Sequence, residues 1–333
     1  MQATDKPSRP IRRSEVTFIP LTVAKAVRPE ETPGQTAGRF FVEVLSENGA
    51  TLCDKDVLVV SSKVATMFEG GQLRLCDVVP SRKARIVGWL FHRDPRKVQL
   101  VLEQGPVLLV VPMKRIVRMP SMRRMLEMRS PNQEAMREGY GRINGHVFVV
   151  RKHAAYLDEA GIDHTNSPEG YVTLLPDDPC ATARRIRETI RQAIGKEIAV
   201  IITDTVTCIG RLGSQDLAIG YAGIDPITRD TFSDDLFGIP RAGGIDLVID
   251  SIAGMAGLVM GQTIERTPAV LVRGIDYAPE RSDENPGMAA VAMPTRGQWK
   301  IVCNTLLSTL WFRIGSAISF QRNAGRRRVS RGS

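Results

Sequence analysis

An aspartate followed by a threonine, Asp204–Thr205, stands at the C-terminal end of the apolar, β-branched run Ala199–Ile202, one residue beyond it. That run has the length of one buried strand, and in open α/β sheets ligands gather at the C-terminal ends of strands. A carboxylate beside a hydroxyl suits a hard divalent cation. Upstream, the turn Gly161–Asn166 (GIDHTN) adds Asp163 and Asn166, oxygen donors of the same kind. A Mg²⁺ or Mn²⁺ ion that bridges to phosphates needs only one or two carboxylates, with water and substrate oxygens completing its shell. Each piece also has a plainer reading. An Asp-Thr pair after a strand can simply cap a helix, and an Asn in such a turn tolerates the left-handed conformation.

Other reactive types give less. A second buried run, Val57–Val60, ends in Ser61–Ser62–Lys63, where hydroxyls and a following helical stretch can face phosphate or merely cap. The five cysteines, 53, 76, 180, 208 and 303, are widely separated with no CxxC pair. They indicate neither a disulfide framework nor a zinc site, so a reducing cytoplasm is expected. Cys208 lies near Asp204, but no histidine close in sequence supplies a base, and a small buried residue is the expected role. The four histidines show no metal spacing, and His164 within GIDHTN reads equally as a ligand contact or as surface.

Elements that position these groups follow from periodicity. Pro179–Gly195 is the clearest helix, capped by Asp177–Asp178, with Ala183, Ile186, Ile190 and Ile194 on one face and arginines on the other. Arg82–Phe91 and Pro95–Gln104 read as amphipathic helices. Val16–Ile19 is a short strand ending at Pro20, and Phe40–Leu45, Val107–Val111, Val147–Val150 and Pro268–Val272 are further strands. Ile245–Met260 is an apolar helix whose Ala253, Gly254, Ala256 and Gly257 permit close packing, as at a dimer core. Between the strands, Met113–Gly145 mixes Met and Arg without an apolar stripe. It reads as an insertion that serves as a lid, a subunit contact or a solvated excursion.

Taken together, FIPLT at Phe18–Thr22, DVLVVSSKVATMFEGG at Asp56–Gly71, PSRKARIVGWLFHRDPRKVQLVLEQ at Pro80–Gln104, GIDHTN, the stretch through IITDT, GSQDLAIGYAGIDPI and DSIAGMAGLVMGQTIERTPAVLVRG resemble the coenzyme F420-0:γ-glutamyl ligase family. The likeness covers most of the chain from about Val16 to Tyr277. It implies an α+β, two-domain ligase-like fold with mixed sheets and packed helices. It also implies a GTP-dependent amide ligase: GTP phosphorylates a carboxylate and the amine of L-glutamate attacks the acyl phosphate, with divalent cations holding the phosphates. On that resemblance Asp163 and Asp204 bind one metal and Thr205 the second, while Asn166, Ser62 and the backbone of Ile19, Pro20, Leu21 and Thr22 lie against the nucleotide. Two family positions depart. A Lys near the phosphates is Met67 here, and a metal-binding Glu is Ser251.

Length and composition agree with a nucleotide-using enzyme. At 333 residues with 43% apolar and 24% charged residues, the chain can bury a sizeable core. Its net charge of +9 is spread over several stretches with few aromatics between them, which disfavours nucleic acid and suits an anionic substrate. Residues 1–15 read as a disordered basic lead-in, 16–277 as the ligase-like region, 278–298 as a linker, 299–320 as a C-terminal helix and 321–333 as a basic tail. Asn304 and Arg313 argue against a spanning helix, and a peripheral membrane contact is the lesser reading. The expected protein is a cytoplasmic homodimer that adds glutamate to a carboxylate-bearing cofactor such as coenzyme F420-0. The alternatives are a pterin or furan cofactor as acceptor, or a non-catalytic homologue that scaffolds a partner protein.

Overall fold

The computed structural model describes residues 15–142, 145–208, 211, 213–227, 232–280, 287–292 and 307–309. Apolar β-branched runs build its central sheet. In chain order these are β1 (Thr17–Leu21), β2 (Val57–Ser61), and then, far downstream, β8 (Ala199–Thr207), β9 (Ser214–Ala222) and β10 (Ala269–Arg273). Their spatial order is β1-β10-β2-β8-β9. Strand β10 is antiparallel to both β1 and β2, and β8 is parallel to β2, so β1, β2 and β8 all point the same way. The register runs Leu21–Ala269–Val60–Ile202 across four strands. The C-terminal ends of β1 and β2 therefore lie level with the middle of β8, so that Thr22 and Ser62, which follow their strands, stand at the same end of the sheet as Asp204 within β8.

Helices cover both faces. On one lie α1 (Ala37–Glu47), α2 (Ser62–Met67) and α8 (Pro179–Ile194), where Phe41, Leu45, Ile186 and Ile190 pack on Leu58, Val60, Val200 and Ile202. On the other lies α9 (Val248–Met260), packing Ile249, Ile252, Ala253 and Ala256 on Val57, Val59, Ala199 and Ile201. Each such large side chain taken fully from water contributes about 1.5–3 kcal/mol. Helix α8 begins with Asp178 accepting from the Ala181 amide at 2.9 Å and ends at Gly195, as its sequence predicts.

Two smaller sheets complete the fold. One pairs β3 (Gln72–Arg74) with β7 (Tyr171–Thr173). The other has the order β4-β5-β6, formed by Val107–Val111, Val147–Lys152 and Ala155–Asp158. Helices α3 (Arg82–Phe91) and α4 (Pro95–Gln104) fall on their expected bounds and share a core with Phe148 and Val150. The Met113–Gly145 stretch forms three short helices, α5 (Met113–Val117), α6 (Pro120–Arg129) and α7 (Gln133–Arg142), with Met119 and Met128 exposed. The whole is α+β with mixed sheets. Met1–Val291 cluster as one compact unit and Ala292–Ser333 as another. The lead-in up to residue 14, the tail and all but Leu307–Thr309 of the 299–320 helix lie outside the described residues. Among the described residues no helix is long and apolar enough to cross a membrane.

Three expectations are corrected. Phe40–Leu45 is not a strand but the middle of α1. Thr36 accepts from the Arg39 amide at the helix start, and Ala37, Phe41, Val44 and Leu45 form one buried face at helical spacing. The first strand does not stop at Pro20 but runs through it to Leu21, because β1 is an edge strand and a residue without an N–H is tolerated there. The apolar helix read from Ile245 begins at Val248, and its Ala253 and Ala256 are fully buried against the sheet within the chain.

Candidate functional site

Asp204 and Thr205 do not follow the strand. They lie inside it, since β8 extends to Thr207 by pairing with β9 in a long hairpin. A register shift between Ile202 and Thr203 falls just before them. Successive strand residues point to opposite faces. Asp204 accordingly meets α2, where the Ser62 hydroxyl donates to its Oδ1 at 2.8 Å. Thr205 turns to the α9 side. Its Oγ1 lies 2.8 Å from Asp216 Oδ1 and 2.9 Å from Gln262 Oε1, and its single proton serves one of them at a time.

The GIDHTN turn is carried to the same edge by an isolated bridge between Asp163 and Thr173, with N–H···O distances of 3.0 and 2.7 Å. Asp163 Oδ1 accepts from the Thr165 amide and Oδ2 from Lys63 Nζ, both at 2.7 Å. Lys63 Nζ also donates to the Thr165 carbonyl. Asn166 takes a left-handed φ of 52° and donates from Nδ2 to the Thr263 carbonyl at 3.0 Å, tying the turn to the loop after α9. Gly161 precedes the turn at φ 73°, and a Cβ there would meet Leu175 at 2.5 Å and Asp204 Oδ2 at 3.4 Å. Glycine is thus required both by the backbone and by the approach to Asp204.

Electrostatics single out Asp204. Burial, with added repulsion from Asp216 and Asp163, pushes its carboxyl up to about 7 even though the Ser62 hydroxyl pulls the other way. Burial also raises Asp216, against hydrogen bonds from Thr205 and Gln262. Burial works upward on Asp163 as well, but the Lys63 ammonium and the Thr165 amide hold it below the usual carboxylate range. The edge therefore collects three carboxylates with one nearby cation. Oxygen donors alone suit Mg²⁺ or Mn²⁺ rather than a softer metal. Among the described residues no three His, Cys, Asp or Glu side chains close on one point. The residues that could hold such an ion are Asp163 and Asp204 on one side of the strand, or Thr205 with Asp216 on the other, with water and substrate oxygens left to complete its shell.

At the far side of the sheet, Thr22 follows β1 and is clamped by Asn48, whose Oδ1 accepts from the Thr22 amide at 3.0 Å and whose Nδ2 donates to its carbonyl at 2.9 Å. Ile19, Pro20 and Leu21 pair with Leu271, Val270 and Ala269. Three strand intervals separate Thr22 from Asp204, roughly 14 Å.

Residues that periodicity did not reveal now stand in the site. Asp216 interrupts the apolar alternation of β9 yet is only 7% exposed, the one available signal. Its Oδ2 lies 2.5 Å from where a Cβ on Gly257 would stand, so α9 needs glycine there. Gln262 Nε2 donates to Asp216 Oδ1 at 3.1 Å. Lys63 lies one helical turn before Met67, which is buried. Ser251 is exposed, and its hydroxyl donates to the Leu247 carbonyl within α9 at 3.0 Å. His164 is exposed, and Cys208 is half-buried in no disulfide, its thiol donating to the Val206 carbonyl at 4.0 Å.

Known proteins match along this same stretch. The family model described as F420-0:Gamma-glutamyl ligase matches residues 29–274, from before α1 to the end of β10. The coenzyme F420:L-glutamate ligase of Methanothermobacter thermautotrophicus is 31% identical over 252 residues, covering 75% of this chain and 87% of that protein. That of Methanopyrus kandleri is 31% identical over 281 residues, covering 83% and 94%. The Archaeoglobus fulgidus protein of the same name is 32% identical over 232 residues, covering 69% and 80%. With Ser62, Asp163, Asp204, Thr205 and Asp216 all inside the matched region, this chain belongs to the F420-0:γ-glutamyl ligase family.

Proposed function

We propose that the chain is a GTP-dependent ligase that forms an amide between L-glutamate and the carboxylate of a coenzyme F420-type cofactor. The observation that supports this most is Asp204. It is a half-buried carboxylate inside β8, beside the end of β2, raised by desolvation and by its neighbours Asp216 and Asp163, and bonded to a hydroxyl rather than to a base. A carboxylate so placed favours a cation: one Mg²⁺ or Mn²⁺ on Asp163 and Asp204, and a second on Thr205, would supply charge neutralisation to phosphate oxygens when bound. Phosphoryl transfer asks for positioning and charge more than for a protein nucleophile.

In this reading the acceptor carboxylate takes the γ-phosphoryl group of GTP, giving an acyl phosphate and GDP. The glutamate amine then attacks the acyl carbon. The C–N bond forms, the C–O bond to phosphate breaks, and the amine proton leaves with the departing phosphate or to water. Ser62 orients Asp204, the Thr165 amide orients Asp163, and the edge from Thr22 to Asp204 gives the nucleotide a platform about three strands wide.

The test is incubation with GTP, L-glutamate and Mn²⁺ plus F420-0, a pterin acid or a furan acid in parallel. The prediction is glutamyl-F420 and stoichiometric GDP, both absent with Asp204→Asn. Glutamylation of the pterin or furan alone would move the acceptor, and GDP without any adduct would reject ligation.

A further inference from the structure

We infer that Lys63 is an exchangeable counter-ion: it holds the Asp163 carboxylate in the metal-free protein and is released toward the nucleotide phosphates when a divalent cation takes that carboxylate. The inference rests on reading Asp163 and Asp204 as metal ligands.

Both oxygens of Asp163 are engaged, and the two engagements differ in kind. Oδ1 accepts from the Thr165 amide, a donor fixed in the backbone of the turn. Oδ2 accepts from Lys63 Nζ at 2.7 Å, a donor at the end of a flexible four-carbon stem. The backbone of Asp163 is pinned, because its own N–H and C=O are both bonded to Thr173, and the Thr165 amide keeps its carboxylate turned into the turn. A dication and an ammonium on one carboxylate repel each other strongly at this separation. The ammonium, whose other contact is the Thr165 carbonyl, is the partner on a flexible stem and the one that leaves.

The position of Lys63 directs where it goes. It follows Ser62, which bonds Asp204, so the first turn of α2 serves both carboxylates. Its side chain is only 18% exposed, which keeps the stem along the sheet edge rather than in open solvent. Met67, one turn later on the same helical face, is buried and uncharged, so Lys63 is the cation that α2 brings to this edge. Once displaced, its ammonium can reach the phosphate oxygens that the metal gathers. Positive charge is thereby present at the edge before and after metal binding, first on Asp163 and then on the substrate.

The test measures Mn²⁺ affinity from the free-ion spin-resonance signal without nucleotide, and separately GTP affinity at saturating Mn²⁺, for wild type, Lys63→Met and Lys63→Gln. Thermal unfolding of each variant checks that it folds. The exchange predicts opposite signs: Mn²⁺ binds several-fold tighter to both variants, while GTP binds about tenfold more weakly. Lys63→Arg should restore GTP affinity. A residue that only braced the turn would lower both affinities, and unchanged or weaker Mn²⁺ binding in both folded variants overturns the inference. Wild-type protein that binds neither Mn²⁺ nor GTP would instead overturn the metal-site reading beneath it.

Discussion

Asp204 and Thr205 are consecutive in β8 yet bond to opposite sides of the sheet, Asp204 to Ser62 of α2 and Thr205 to Asp216 of β9 beside α9. One dipeptide thus joins two groups of oxygen atoms on either side of a strand. No loop could hold the two side chains at so fixed an offset.

Asp204 should make the metal-free protein less stable as pH rises. Its carboxyl titrates near 7 in the folded state and near 3.8 when unfolded, so between about pH 4 and 7 the folded state binds more protons. Stability is then greatest below that window and falls through it. Asp204→Asn keeps an acceptor for Ser62 and removes the charge. It should flatten this slope and raise the melting temperature in a chelator-treated sample at about pH 8, a result that thermal unfolding across pH will check.

His153 gives a slope of the opposite sense. Its Nε2 lies 2.9 Å from the Pro176 carbonyl, and the donating tautomer is assigned from that contact. Burial, aided by the Lys152 charge, pushes its pKa down to about 4 from 6.5. The unfolded chain protonates first, so stability falls as pH drops from 6.5 to about 4 and levels below that. Urea unfolding of His153→Gln should show this fall removed.

Gly257→Ala should damage the site more than the fold. Alanine favours the helix by about 1 kcal/mol, but its Cβ would stand 2.5 Å from Asp216 Oδ2. Asp216 must move away from Thr205, and a displacement near 1 Å at a reacting centre costs about 100-fold in rate. Steady-state GDP release should show that loss, with circular dichroism unchanged.

Far from the site, Arg273 donates from Nε and Nη2 to the two oxygens of Asp56, at 2.9 and 2.7 Å, and Asp56 is 2% exposed. Removing one partner leaves a buried charge without its counter-ion. Arg273→Met should destabilise by about 3 kcal/mol, measured by denaturant unfolding, while Mn²⁺ affinity of the folded protein stays the same.

Much of this was legible in the sequence where local and tertiary signals coincide. Helices α3, α4 and α8 carry caps at Ser81, Asp94 and Asp178 and apolar stripes that agree, so their bounds could be read directly. Helix α1 was not, because aromatic and β-branched residues in FFVEVL favour strand locally, and only burial of Phe41 and Val44 on one face decides otherwise. For the site, residue types in order along the chain pointed to Asp163, Asp204 and Thr205. Asp216, Lys63 and Gln262 were hidden because their roles depend on which strands pair. Asp216 matters through its register opposite Thr205, a relation that no local spacing contains.

The most direct test of the account is calorimetric titration of GTP into wild type and Asp204→Asn, each with Mn²⁺ and with chelator. The account predicts binding to wild type only when Mn²⁺ is present, and none to Asp204→Asn under either condition. Equal GTP binding with and without Mn²⁺, or binding that survives Asp204→Asn unchanged, would contradict it.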